Sequence, residues 1–283
     1  MKGYILYDKK GYERNHLFAE ALVQRAEQKG VRLEVLIREE IIPSLQDSRL
    51  CIVNKNGEEL YCDFIINRCI DPLFAEFAEH MGIKLFNSAE VCRICNDKRL
   101  THIHYAPLGI PMANSEFLNR FNKDHTPSQY PRVLKVPEGH GGEEVFWIND
   151  ETQLSSYDLD ERLLQVPVKK LGYDLRVYVM NKKILLSVLR HSERDFRSNF
   201  SLGGSAEIYE LKKDEEALVQ RVINGLPEGA FWVGIDFIFD GDKMLLNEIE
   251  DIVGARMIYS KTSIPVHELL VDGIIEQMNK GEL

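Results

Sequence analysis

The sequence predicts an α/β first domain of about 95 residues followed by two further segments rich in strands and hairpins, and three observations predict it. Strands and helices alternate through about residue 95, a glycine-rich strand–loop–strand follows, and two apolar hairpins dominate the last third. "YILYD" (Tyr4–Asp8) reads as a strand. The amphipathic "NHLFAEALVQRAEQKG" places Leu17, Ala21, Leu22 and Ala26 at helical spacing, and Gly30 is its stop. "VRLEVL" (Val31–Leu36) is the next strand, "NKNGEEL" holds a turn, and "DFIINR" (Asp63–Arg68) is a short buried strand. "PLFAEFAEHMG" is a helix ending at Gly82, and "IKLFN" is another strand. Such alternation points to a parallel sheet.

In "NDKRLTHIHYAPLGIPMANS", Asn96 or Asp97 can cap a helix running to about Tyr105, and "GIPMANSEFL" returns as a strand. Arg120–Pro131 is a polar surface connection. "RVLKVPEGHGGEEVFWI" reads as strand, glycine-rich loop, strand, and "RLLQVPV" (Arg162–Val168) as a strand interrupted by Pro167. "DLRVYVMNKKILLSVLR" turns at Asn181-Lys182 between two apolar runs. "WVGIDFIFDGDKMLLNEIE" turns within "DGDK", and "PVHELLVDGIIEQMNKG" is the closing helix.

The chain has 283 residues and a net charge of −10, which argues against a sequence-independent grip on nucleic acid. No apolar run is long enough to span a membrane, and none at the N-terminus resembles a secretion signal. The five cysteines then read as reduced thiols in a cytoplasm. "CRIC" (Cys92–Cys95) is either half a zinc site or a pair of buried thiols, and no second pair follows it at suitable spacing.

Three constellations carry chemistry. Lys135 stands between Leu134 and Val136, as a snorkelling edge lysine or as an ammonium at the root of "PEGHGGEEV". In that loop Gly139, Gly141 and Gly142 let backbone N–H groups approach an anion. Asp174, Arg176, Arg190, Arg194, Arg197 and Asn199 crowd a second region and suggest a phosphate or carboxylate clamp. The third lies in the last hairpin, where Glu248 and Glu250 share a face. A three-residue turn would set Asp236 across from Glu248; a two-residue turn would separate them unless the strand bulges. Adjacent carboxylates repel unless a cation joins them, and oxygen-only ligands favour Mg²⁺ or Mn²⁺.

With these stretches in view, the chain resembles the ATP-grasp ligases, within them the glutamate-ligase-like (RimK-type) branch of carboxylate–amine ligases. The carrying stretches are "CNDKRLTHIHYAPLGIPMANS", "VLKVPEGHGGEEV", "LQVPV", "DLRVYV", "DFRSNFSLGG" and "GIDFIF…NEIE". The resemblance implies a Rossmann-like first domain (1–95) and two α+β lobes, a central ATP-grasp lobe (96–168) and a C-terminal lobe (169–283) with the metal site. It implies ATP with Mg²⁺ or Mn²⁺, two ions, and an acyl phosphate formed from one substrate's carboxylate and captured by another's amine.

Residue by residue, Lys98 and Lys135 would hold the phosphates, and Gly139, His140, Gly141 and Gly142 would cover them. Gln165, Val166, Pro167 and Val168 would form the hinge beside adenine, and Asp174 would border the ribose. Arg176 and Arg197, Ser198 and Asn199 would complete the nucleotide site. Asp236, Glu248 and Glu250 would hold metal, and Arg190 or Arg197 would stabilise the oxyanion. Arg68 and Arg256 are the candidates for binding substrate. The family's usual Glu-x-Asn is here Glu248-Ile249-Glu250, and Pro167 leaves adenine the carbonyl of Val166 and the N–H of Val168. The substrates would be small-molecule or peptide carboxylates and amines, glutamate among them, and a homo-oligomer is compatible with the sequence. Competing readings are a small-molecule kinase on the same fold and a nucleotide-binding module without turnover.

Overall fold

The computed structural model describes residues 1–139, 144–192, 196 and 205–280. Its first sheet is parallel, in the order β2-β1-β5-β6, built from β1 (Lys2–Tyr7), β2 (Arg32–Ile37), β5 (Phe64–Asn67) and β6 (Lys84–Phe86). Helix α1 (Lys9–Gln28) crosses from β1 to β2, and α2 (Pro72–His80) from β5 to β6. Between β2 and β5 lies an antiparallel hairpin of β3 (Ile41–Gln46) and β4 (Arg49–Asn54). The two central strands are buried on both faces, so they read as continuous apolar runs.

Two short helices, α3 (Ala89–Cys95) and α4 (Lys98–Tyr105), lead into an antiparallel sheet ordered β7-β10-β8-β9. Its strands are β7 (Ser115–Leu118), β8 (Arg132–Lys135), β9 (Val145–Ile148) and β10 (Arg162–Gln165), with α5 (Glu151–Leu154) on the connection. Leu118, Leu134, Ile148 and Leu164 share one core on this sheet. The alternating Val133, Lys135 and Gln165 line a cleft on its other face.

The largest sheet runs β13-β12-β11-β14-β15, from β11 (Lys170–Met180), β12 (Lys183–His191), β13 (Ser205–Ile208), β14 (Trp232–Asp240) and β15 (Lys243–Glu250). α6 (Lys213–Asn224) packs Val219, Val222 and Ile223 against it, together with Tyr105 from α4. α7 (Arg256–Lys261) and α8 (Val266–Lys280) turn back toward the first sheet, where Leu270 and Ile274 join Leu22 and Ala26 in one core.

Where sequence and structure differ, local chemistry explains it. α1 starts at Lys9 because Asp8 caps it, accepting the Gly11 N–H at 2.7 Å, and a kink at Asn15 interrupts it. The buried face is Ala19, Leu22 and Ala26, while Leu17 is 71% exposed. The β3–β4 hairpin escapes a reading of periodicity because Ile42 and Leu45 point outward. Among the described residues no helix is long and apolar enough to cross a membrane.

Candidate active site

The register of the last hairpin decides whether its acids meet. Asp240 pairs with Lys243 around a two-residue turn, Gly241-Asp242, in which Gly241 has φ +66°. That turn alone would put Asp236 and Glu248 on opposite faces. The ladder, however, passes from Asp236↔Glu248 to Phe237↔Leu246, leaving Asn247 as an extra residue. This bulge restores the pairing. Oxygens of Asp236, Glu248 and Glu250 consequently lie within 4.8 Å of one another.

Each of these acids already meets a cation of the chain. Arg176 donates through Nε and Nη2 to the two oxygens of Asp236, at 2.7 and 2.6 Å, and Arg190 Nη2 adds a bond of 2.8 Å. Arg176 Nη2 also lies 2.7 Å from Glu250, and Arg190 holds Asp174 through a second fork. Lys98 Nζ is 2.8 Å from Glu248. Burial pushes the Asp236 carboxyl up, but the two guanidinium groups outweigh it and bring it down to about 2. Burial opposes ionisation of Glu248 as well, and so does the Asp236 charge, but Lys98 and Lys135 together hold its pKa below the ordinary value. The acids of the hairpin are therefore part of a charge lattice between buried strands, not a solvated edge.

The two lysines predicted for phosphate reach this lattice from different elements. Lys98 opens α4, placed there by the Asp97 cap, and donates to the Gly139 carbonyl at 2.6 Å, at the root of the glycine-rich loop. Lys135, at the end of β8, donates to Asn247 Oδ1 at 2.8 Å. Its ammonium is buried, which lowers its pKa to about 8; Glu248 opposes that shift and Lys98 adds to it. A cleft of about 770 Å³, open to solvent, is lined by Lys98, Lys135, Val166, Asp174, Asn247 and Glu248.

Gln165, at the end of β10, lines the same cleft, as do Val166, Pro167 and Val168 on the connection from β10 to β11. The Val166 N–H is bonded to the Asn114 carbonyl, so it is turned away from any ligand. His140, Gly141, Gly142, Arg194, Arg197, Ser198 and Asn199 lie outside the described residues. Arg68 is buried and donates to the carbonyls of Ile252 and Val253, while Arg256 is exposed at the start of α7.

Two contributors were missed in the sequence. Asn247 was hidden because a bulge depends on how a strand meets its partner. Asn87 ties the first sheet to the last by donating to the Trp232 and Asp251 carbonyls and accepting from the Phe231 and Trp232 N–H groups. A lone asparagine after "IKLF" carries no sign of such distant partners.

A model of the RimK-like ATP-grasp domain matches residues 107–274, which contain Gln165–Val168, both hairpins and all three clustered acids. The chain belongs to the RimK-like ATP-grasp family. Uncharacterized protein MG011 of Mycoplasma genitalium is 25% identical over 99% of this chain and 94% of its own length. The glutamate–LysW ligase ArgX of Sulfurisphaera tokodaii is 26% identical over 71% of this chain and 76% of its own. VanG D-Ala:D-Ser ligase of Enterococcus faecalis superposes with a TM-score of 0.73 at 15% identity, covering 98% of this chain and 99% of that one. The ATP-grasp ligase PsnB, in complex with a minimal precursor, Mg and ADP, superposes with a TM-score of 0.67 at 14% identity, over 98% of both chains. These superpositions show the ATP-grasp fold. ATP-grasp carboxylate–amine ligases use ATP and Mg²⁺.

Proposed function

We propose that the chain is an ADP-forming carboxylate–amine ligase with an amino acid or peptide among its substrates, glutamate being one candidate. One observation carries the reading: two buried lysines and Glu248, one of three clustered carboxylates, line the same cleft as Gln165–Val168. A nucleotide with a divalent ion matches that distribution of charge. The division into lobes 1–95, 96–168 and 169–283 is part of the same proposal.

The donor set fits the ion. Three carboxylates supply oxygen alone, the chemistry that suits Mg²⁺ or Mn²⁺, and Glu248 and Glu250 each make an ion pair with one cation. Asp236, with both oxygens bonded to guanidinium groups, would share its charge between those groups and the ions. When bound, the ions would neutralise charge on the transferring phosphoryl group.

The residues of the chain do the rest. Adenine would sit against the hinge, its amine facing the Val166 carbonyl and a ring nitrogen facing the Val168 N–H. Lys98 and Lys135 would hold the phosphates, and Asp174 would border the ribose. By the family resemblance, Gly139–Gly142 would cover them, and Arg197, Ser198 and Asn199 would lie at the phosphates and metal. A substrate carboxylate oxygen attacks the γ-phosphorus, the bond to the bridging oxygen breaks, and ADP leaves. The amine then attacks the acyl carbon, phosphate departs and the amine proton passes to solvent; Arg190 or Arg197 would steady the oxyanion.

Arg68 and Arg256 would anchor the acid. Arg68 Nε, Asn67 Nδ2 and Tyr7 Oη are buried polar atoms with no partner among the described residues. They belong to the carboxyl ends of β1 and β5, where the strand order of the first sheet reverses, a usual place for ligands. That cluster supports an anionic substrate.

The test is ADP release from Mg-ATP with a panel of amino acids and small carboxylates, repeated with hydroxylamine. A ligase yields a hydroxamate in proportion to ADP. ADP without hydroxamate would move the assignment to phosphorylation of a hydroxyl, and no ADP with any acid or amine would remove it.

A further inference from the structure

We infer that Asn247, supported by His102, positions Lys135 and keeps its charge available to nucleotide phosphate. The inference rests on the assignment of Lys135 to the phosphates, and three observations argue for it. Asn247 is the residue inserted by the bulge, so its carbonyl falls outside the regular β14–β15 ladder. His102, on α4, places Nε2 3.2 Å from that carbonyl. The Asn247 side chain then reaches Lys135 on a different sheet, with Oδ1 2.8 Å from Nζ.

His102 is suited to the supporting position. It is 4% exposed and stands edge-on to Phe117, with ring centroids 6.4 Å apart. Burial lowers its pKa to about 4, and the Lys135 ammonium adds to the effect. A neutral ring has one N–H, and only the tautomer protonated at Nε2 can donate to a carbonyl.

The amide at 247 does what neither a carboxylate nor an aliphatic chain could do. An amide oxygen holds the ammonium by a charge-assisted bond without cancelling its charge. Lys98 differs, because Glu248 is its ion-pair partner. A leucine at 247 would leave Lys135, 6% exposed, without its hydrogen bond to the neighbouring sheet. An aspartate would keep the bond but neutralise the lysine and repel phosphate.

Calorimetric titration with ADP and with adenosine, at a fixed excess of Mg²⁺, tests this. Asn247→Leu is expected to weaken ADP at least about tenfold, the value of a hydrogen bond to a charged group, while adenosine binds as before. Asn247→Asp should weaken ADP as well. In a Lys135→Met background Asn247→Leu should have no further effect, because the coupling is then already absent. If Asn247→Leu does not fold, Asn247→Ser, too short to reach Lys135, takes its place with the same expectation. Unchanged ADP affinity in a variant whose parent binds ADP overturns the inference. So does an equal loss for ADP and adenosine, which would mark a purely structural residue. A parent chain that binds no ADP instead refutes the nucleotide reading beneath it.

Discussion

Replacing Asp236 by asparagine removes one negative charge from a position 1% exposed, where two guanidinium groups converge on it. Glu250 still faces Arg176 and Asp174 still faces Arg190, but the two guanidinium groups lose the carboxylate they share, and an amide N–H₂ is turned toward N–H donors. Two estimates bound the effect. The fall of the Asp236 pKa from 3.8 to about 2 corresponds to about 2–3 kcal/mol of favourable interaction in the folded state. Breaking a buried ion pair by removing one partner costs about 3–5 kcal/mol. Asp236→Asn is therefore expected to lower unfolding stability by about 2–5 kcal/mol, measured by urea denaturation. Because the folded pKa is depressed, the Asp236 contribution is complete above about pH 4 and is lost as pH falls through about 2. A midpoint shift equivalent to less than about 1 kcal/mol would refute this account of the lattice. The cleaner test of metal binding is Glu248→Gln, whose side chain is 18% exposed, with ADP production as the readout and loss of turnover expected.

Lys135, with a pKa lowered to about 8, should make ADP affinity pH-dependent. Affinity is expected to be level below about pH 8 and to fall up to about tenfold per unit above it, until the bound-state pKa is passed; a flat profile from pH 7 to 10 would remove Lys135 from the phosphates. The same depression makes this group's contribution to stability rise between about pH 8 and its ordinary value of 10.5, since there the unfolded chain binds more protons. Glu250→Asn should cost about 1–3 kcal/mol, less than Asp236→Asn, because Asp236 still holds Arg176 through two bonds. Its turnover, followed as ADP, should survive if the position is only a metal-ligand variant, and complete loss with metal still bound would give the carboxylate another task.

Much of the site was legible because it follows local pattern. "DLRVYVMNKKILLSVLR" announced a hairpin by two apolar runs around Asn181-Lys182, and both turn residues have positive φ, at 48° and 60°. The alternation in "NEIE" put Glu248 and Glu250 on one face, and "RVLKV" put a lysine at the foot of the glycine loop. α6 and the β3–β4 hairpin were not read, since short or weakly patterned segments depend on what covers them.

Residue order and side-chain period by themselves determined which groups could act: the lysines, the arginines on strands and the paired acids, since each strand sets its faces by a two-residue alternation. Tertiary structure decided which of them meet. A two-residue turn plus a bulge at Asn247 aligned Asp236 with Glu248, and the strand order β12-β11-β14 supplied Arg176 and Arg190 as counter-ions of Asp236. Register and pairing between strands far apart in the chain arise from burial summed over whole sheets, so no short stretch of sequence carries them.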